Sequence, residues 1–294
     1  MKKEFIEPEL VVDKPALVGE GSIWDPQAKV LYWVDILSHE LYIYDPATGE
    51  NRTVLTCQSV GTVVPRACGG VAVALHNGFA VIDLETDKIT PLADPERTIP
   101  ANRFNDGKCD PAGRLWAGTM EFNGELNQGS LYCLETDHRV TKKIEPVTIS
   151  NGIVWTADHK TMYYIDTALN TVRAYDYDID SGDISNERVI IVNEGEGHFD
   201  GMSIDVEGML WIALFAGAGV RRYDPGSGML LRDIGLPMSQ VTSCAFGGES
   251  LDELYVTSAA LNLDAAAMAQ QPLAGSLVKI DPGVQGVEAF AYGG

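Results

Sequence analysis

The chain has 294 residues, 45% apolar and 21% charged, enough to bury a sizeable core in one or two domains. Acids outnumber bases 42 to 21, for a net charge of −21. That charge is repelled by nucleic acid and by anionic membrane surfaces, and it disfavours strongly anionic substrates unless a cation or a local arginine intervenes.

The N-terminus, Met1-Lys2-Lys3-Glu4-Phe5, carries charge with no apolar run behind it, so no secretory signal is expected and a cytoplasmic location is. No stretch approaches the roughly 18 apolar residues of a membrane helix. Five cysteines, Cys57, Cys68, Cys109, Cys133 and Cys244, are irregularly spaced without a CxxC pair. They read as small buried apolar residues rather than as a disulfide set or a zinc site.

One strand type recurs along the chain. It begins as Leu31-Tyr32-Trp33-Val34-Asp35 and returns at Val71, Leu115, Met162, Leu210 and Leu254, at intervals of 40, 44, 47, 48 and 44 residues. A second strand follows each copy, from Leu41-Tyr42-Ile43-Tyr44-Asp45 to Ser276-Leu277-Val278-Lys279-Ile280-Asp281. Most of these end in an acid and enter a turn rich in Thr, Ser, Gly or Pro, such as Asp224-Pro225-Gly226-Ser227-Gly228. Such strands and turns make hairpins, and a period of about 40–50 residues marks propeller blades. Residues 263–270 are at most a short helical excursion in a loop. The expectation is all-β: a six-bladed β-propeller in a single domain spanning residues 1–294, with N- and C-terminal strands joined in one blade so that no edge stays open.

The strand before each aromatic one would line the central channel. The copies include Gly19-Glu20-Gly21, Asn105-Asp106-Gly107, Asn151-Gly152, Asp200-Gly201 and Val241-Thr242-Ser243. An acid or amide precedes glycine in four of the six repeats. Glu20, Asn151 and Asp200 would therefore converge at one end of the axis. Their oxygens suit a hard divalent cation completed by water. Calcium accepts such a loose shell best; zinc, manganese and magnesium are also compatible. The neighbouring glycines let backbone approach a crowded axis.

Glu20 in Gly-Glu-Gly-Ser-Ile-Trp, the run Arg103-Phe104-Asn105-Asp106-Gly107-Lys108 through Met120, Asn151-Gly152, Asp200-Gly201 and residues 241–248 resemble the regucalcin (senescence marker protein 30) and gluconolactonase family. The resemblance covers almost the whole chain and implies a six-bladed propeller, one axial divalent metal and hydrolysis of sugar lactones such as gluconolactone, arabinonolactone or xylonolactone. Carried over by position, the metal ligands would be Glu20, Asn151 and Asp200. Arg103 and Asn105 would hold sugar hydroxyls, with Asn105 also near the metal. Some members carry a substrate-contacting acid where this chain has Asn123, with Glu121 displaced from that place, so sugar selectivity would differ.

The chemistry is consistent with that implication. A lactone is an activated ester; an axial cation would polarise its carbonyl and Asp200 would deprotonate the attacking water. No Gly-x-Ser-x-Gly or Ser/His/Asp arrangement is present, and of the five histidines only His198 lies near the site in sequence. Two alternatives share the scaffold: an ester or organophosphate hydrolase at the same metal, and a non-enzymatic calcium-binding propeller. The expected partner is a small sugar lactone, bound by a monomer or small homo-oligomer.

Overall fold

A computed structural model describes residues 2–294. Two short strands come first, β1 (Glu4–Phe5) and β2 (Glu9–Val12). Blade one is β3 (Gly19–Asp25), β4 (Val30–Asp35), β5 (Glu40–Asp45) and β6 (Glu50–Leu55). Blade two is β7 (Val60–Pro65), β8 (Val71–Leu75), β9 (Gly78–Asp83) and β10 (Lys88–Ala93). Blade three is β11 (Asn102–Cys109), β12 (Leu115–Glu121), β13 (Gly129–Leu134) and β14 (Val140–Val147). Blade four is β15 (Ser150–Trp155), β16 (Thr161–Asp166), β17 (Thr171–Tyr177) and β18 (Ile184–Val192). Blade five is β19 (His198–Ile204), β20 (Leu210–Phe215), β21 (Gly219–Tyr223) and β22 (Leu230–Gly235). Blade six holds β23 (Val241–Gly247), β24 (Glu253–Ser258) and β25 (Leu277–Ile280), with the helix α1 (Ala265–Gln270) between the last two. The six sheets form a six-bladed β-propeller.

Blade six takes its fourth strand from the other end of the chain: β2 pairs antiparallel with β25, Glu9 opposite Lys279. The expected closure is therefore present. It uses residues 277–280, whereas residues 286–292 leave the blade. Asp205 bridges to Gly286 and Arg66 to Tyr292, so this tail runs across the base of the propeller. β1 adds a fifth, parallel strand to β22, Glu4 opposite Ile234. A two-residue strand carries no periodicity by which sequence could announce it.

Turn chemistry explains the hairpins. Asp45, Asp83 and Asp224 each accept backbone N–H bonds from the residue two positions on, which closes their turns. Asp25, Asp110 and Asp205 do the same where each inner strand turns into the second. The inner and second strands are almost wholly buried, whereas the outer β6 and β18 face solvent.

Tryptophans sit between blades. Trp116 of blade three meets Trp155 of blade four at 5.8 Å, and Trp211 of blade five meets Phe246 of blade six at 5.7 Å. Trp24 of blade one stacks toward Tyr255 of blade six at 6.3 Å. Full burial of a large apolar side chain contributes about 1.5–3 kcal/mol, so these seams hold the ring together. Cys109, Cys133 and Cys244 are buried as expected, but Cys57 and Cys68 are exposed. Lys142 and Lys143 lie in β14; Lys143 pairs with Asp183 at 3.2 Å and covers Trp116. Among the described residues no helix is long and apolar enough to cross a membrane.

Candidate metal centre and active site

Every inner strand breaks register with its neighbour at the same level. The breaks fall between Glu20 and Ile23, Val60 and Thr62, Phe104 and Gly107, Asn151 and Ile153, Phe199 and Met202, and Val241 and Cys244. A bulge frees residues from the ladder and redirects their side chains. Asn105, Asp106 and Asp200 lie within the breaks; Glu20 and Asn151 are the last paired residues before them. Two glycines are required here. Gly21 has φ of +59°, and a Cβ on Gly152 would lie 2.6 Å from the Met202 Cβ.

The predicted residues are thereby brought to one end of the channel. Glu20, Arg103, Asn105, Asp106, Asn151 and Asp200 are all buried. A chain of hydrogen bonds crosses three blades. An Arg103 Nη donates to Asn105 Oδ1 at 2.7 Å; Asn105 Nδ2 donates to Ser150 O at 2.8 Å and to Asn151 Oδ1 at 3.3 Å. Asn151 Nδ2 donates to Thr167 Oγ1 at 2.7 Å, and Thr167 Oγ1 donates to the carbonyl of Phe199 at 2.8 Å, next to Asp200. Asn105 therefore orients Arg103 and Asn151, and its Nδ2 is fully engaged. Arg103 Nε is buried without a partner.

The strand carrying Glu20 and the strand carrying Asn151 are anchored alike. Asp35 accepts from the N–H groups of Leu17 and Val18, and Asp166 from those of Thr148 and Ile149. The repeated aromatic strand ending in Asp was the sequence signal for these anchors. Glu96 has no such signal. It is buried, accepts from Thr119, Tyr132 and Asn102, and so fixes the approach to β11.

Charge is poorly balanced at the axis. Burial pushes the Glu20 carboxyl up to about 8, with Asp106 adding to it and the N–H of Gly21, which donates to it at 2.6 Å, partly offsetting it. Burial pushes Asp200 well up too, reinforced by Glu20 and Asp106. Asp106 is raised by burial, against the pull of Lys108. Burial lowers Arg103 to about 10 despite the two acids near it. Lys108 is likewise lowered by burial, and its Nζ donates to the carbonyl of Met202 across the channel. Sequence reading passed over Asp106 and Lys108 as site residues. Both lie in the Arg103–Lys108 run, and only the break in β11 shows that they face the axis.

Among the described residues no three His, Cys, Asp or Glu side chains stand together in a ligating cluster. The donor set here is two carboxylates and one amide. It fits a hard divalent ion on its chemistry: all donors are oxygen, Glu20 and Asp200 are both buried, and one lone pair of Asn151 Oδ1 remains after Asn105 is served. Glu20, Asn151 and Asp200 would hold such an ion. His198 is exposed at the start of β19.

Three known proteins are close over their whole lengths. Regucalcin of Danio rerio is 40% identical over 293 residues, 98% of this chain and 99% of its own. YvrE of Bacillus subtilis (strain 168), a sugar lactone lactonase by inference, is 39% identical over 286 residues, 97% of this chain and 98% of its own. The crystal structure of regucalcin from Agrobacterium tumefaciens strain C58, a calcium-binding protein, superposes with a TM-score of 0.93 at 29% identity, covering 99% of both chains. The pattern of the SMP-30/gluconolactonase/LRE-like region matches residues 18–260 and takes in every axial residue described above. On that match, and on these full-length likenesses, the chain belongs to the SMP-30/gluconolactonase/LRE-like family.

Proposed function

We propose that this protein hydrolyses sugar lactones to aldonic acids, with one divalent cation held by Glu20, Asn151 and Asp200. The observation that carries this reading is the burial of two carboxyls, Glu20 and Asp200, at one end of the axis, beside a buried arginine whose Nε has no partner. The lactonase relative and the calcium-binding relative support it from outside the chain. Calcium is the ion we propose, because an all-oxygen set of three protein donors leaves a loose shell for water.

When bound, the cation supplies a Lewis acid for the ester carbonyl. The protein supplies the rest. Arg103 Nε, which has no partner in the protein, would serve an oxygen of the substrate, and Asn105 holds that guanidinium in place. Asp200 is the general base. It takes a proton from water as the water oxygen bonds to the carbonyl carbon. The ring C–O bond then breaks, the ring oxygen takes up a proton, and the open chain leaves as the aldonic acid. Because the ester is reactive, a carboxylate of modest basicity suffices.

The test is proton release at near-neutral pH from a panel of aldonolactones. Metal-stripped protein is assayed first, and calcium, zinc, manganese and magnesium are then added singly. The expected result is release above the spontaneous rate only with metal, abolished in Asp200→Ala. Absence of metal-dependent release for every pair of lactone and ion overturns the reading.

A further inference from the structure

The channel opens into a cavity at the base of the propeller, away from the axial acids. It measures about 70 Å³, and the inner strands wall it with Trp24, Lys108, Trp155, Ser203 and Phe246 from five different blades. Residues Val287–Phe290 form its floor. That floor is pinned at both ends: Val287 N donates to Ile204 O at 3.3 Å, and Tyr292 N donates to Pro65 O at 2.8 Å. Glu20, Asn151 and Asp200 do not line this cavity. A void of about 10 Å³, lined by Asp106 and Lys108 among others, lies on the side toward them.

The wall is mostly apolar, yet it includes a cation. Lys108 Nζ donates to the carbonyl of Met202, and among the described residues the ammonium makes no ion pair; Asp106 attracts it without touching it. Trp155 Nε1 is buried with no partner. Glu288, the other charged residue of the wall, is exposed to solvent. An ammonium set against an apolar wall without a counter-ion is costly, and an anion placed beside it removes that cost.

We propose that this cavity binds a short aliphatic carboxylate such as butyrate, with its charged head on Lys108 Nζ and its chain between Trp24, Trp155 and Phe246. The volume admits roughly five or six groups the size of a water molecule, which matches the six heavy atoms of butyrate. A charge-assisted hydrogen bond holds the head, and burial of the chain adds to it. A polyhydroxylated acid does not fit this chemistry, because its hydroxyls would lose water against the aromatic rings.

The test follows the indole N–H signals of the five tryptophans by NMR, using the full chain with calcium present. Trp155→Phe identifies the signal of Trp155. Butyrate should move that signal with a dissociation constant of about 1 mM. Acetate should bind about tenfold more weakly for want of the chain, and butyramide at least about tenfold more weakly for want of the charge. Lys108→Met should reduce butyrate to the level of butyramide; should that variant not fold, Lys108→Gln supplies the same comparison. Ala289→Leu, which fills the cavity from its floor, should weaken both compounds. Asp200→Ala should leave butyrate affinity within about threefold, because the carboxylate does not sit on the axial ion. The proposal is overturned by a Trp155 signal unmoved at about 50 mM butyrate, or by equal affinity for butyrate and butyramide. Unchanged butyrate affinity in the Lys108 variants overturns it as well, and so does loss of binding in Asp200→Ala. Lactone turnover enters none of these outcomes, so failure here leaves the lactonase reading standing.

Discussion

Asp110 and Asp200 are both buried aspartates on inner strands or their ends, yet their surroundings are opposite. Asp110 is 0% exposed and is served on every side. It pairs with Arg114 at 2.7 Å and accepts from Trp116 Nε1 at 2.9 Å, Tyr177 Oη at 2.7 Å and two backbone N–H groups. Asp205 in blade five repeats the arrangement with Trp211 and Arg222. Asp200, at the other end of the channel, is pushed up by burial and by two neighbouring acids, Glu20 and Asp106. A buried acid with cation and donors in place holds a turn; one placed against other acids lowers stability unless a ligand completes it. The acids at the base are all served, whereas at the top served acids such as Asp35, Asp166 and Glu96 surround the incomplete Glu20, Asp106 and Asp200.

The sharpest way to break that comparison is to neutralise each acid in turn. Asp200→Asn should cut lactone turnover at least about a thousandfold, because the proton acceptor is lost, while the metal-free protein melts no lower than wild type. A wild-type rate in that variant refutes the assignment of the base. Asp110→Ala should do the reverse. It strands Arg114 in a buried site and should cost about 3–5 kcal/mol by denaturant unfolding, with turnover per folded molecule unchanged. Equal effects of the two variants on both measurements would erase the distinction.

A pH series on metal-free protein sharpens it further. The Glu20 carboxyl is raised from an ordinary value of 4.5 to about 8 on folding. The folded state therefore holds that proton more tightly, so its stabilising share is complete below 4.5 and lost as pH rises to about 8. The melting temperature of metal-free protein should fall across that window, and an excess of calcium should reverse the fall near neutral pH. A flat profile that calcium does not move would mean the axial acids are already satisfied. The smallest effect is expected from Thr167→Val. It removes one hydrogen bond from Asn151 and one from Phe199 O, which should weaken calcium affinity about fivefold by calorimetry and leave the fold intact.

Much of this architecture is written in the chain. The six aromatic strands and the acid- or amide-glycine pairs repeat in phase, and they indicated the blades and the meeting of Glu20, Asn151 and Asp200. What could not be read depends on register. Whether Asp106 and Lys108 face the axis is decided by the break between Phe104 and Gly107, and a one-residue slip would reverse every side chain beyond it. That Asn105 also ties Arg103 to Asn151 could not be read either, because it depends on how blades three and four meet. Phe122 and Asn123 lie in a loop without periodicity, where only the grip of Glu121 decides which of them faces outward.

The pairing of β2 with β25 has a consequence for how the molecule comes into being. Glu9 cannot meet Lys279 until nearly the whole polypeptide has been synthesised, so an unpaired strand waits while five blades form beside it. Contacts so remote in sequence are slow to form, and the open edge of β25 is a template for a neighbouring molecule until they do. Moving the termini to a loop between two blades, with residues 1 and 294 linked, would make every blade local in sequence. Such a permutant should refold faster and aggregate less at high concentration, while its axial site remains as it is.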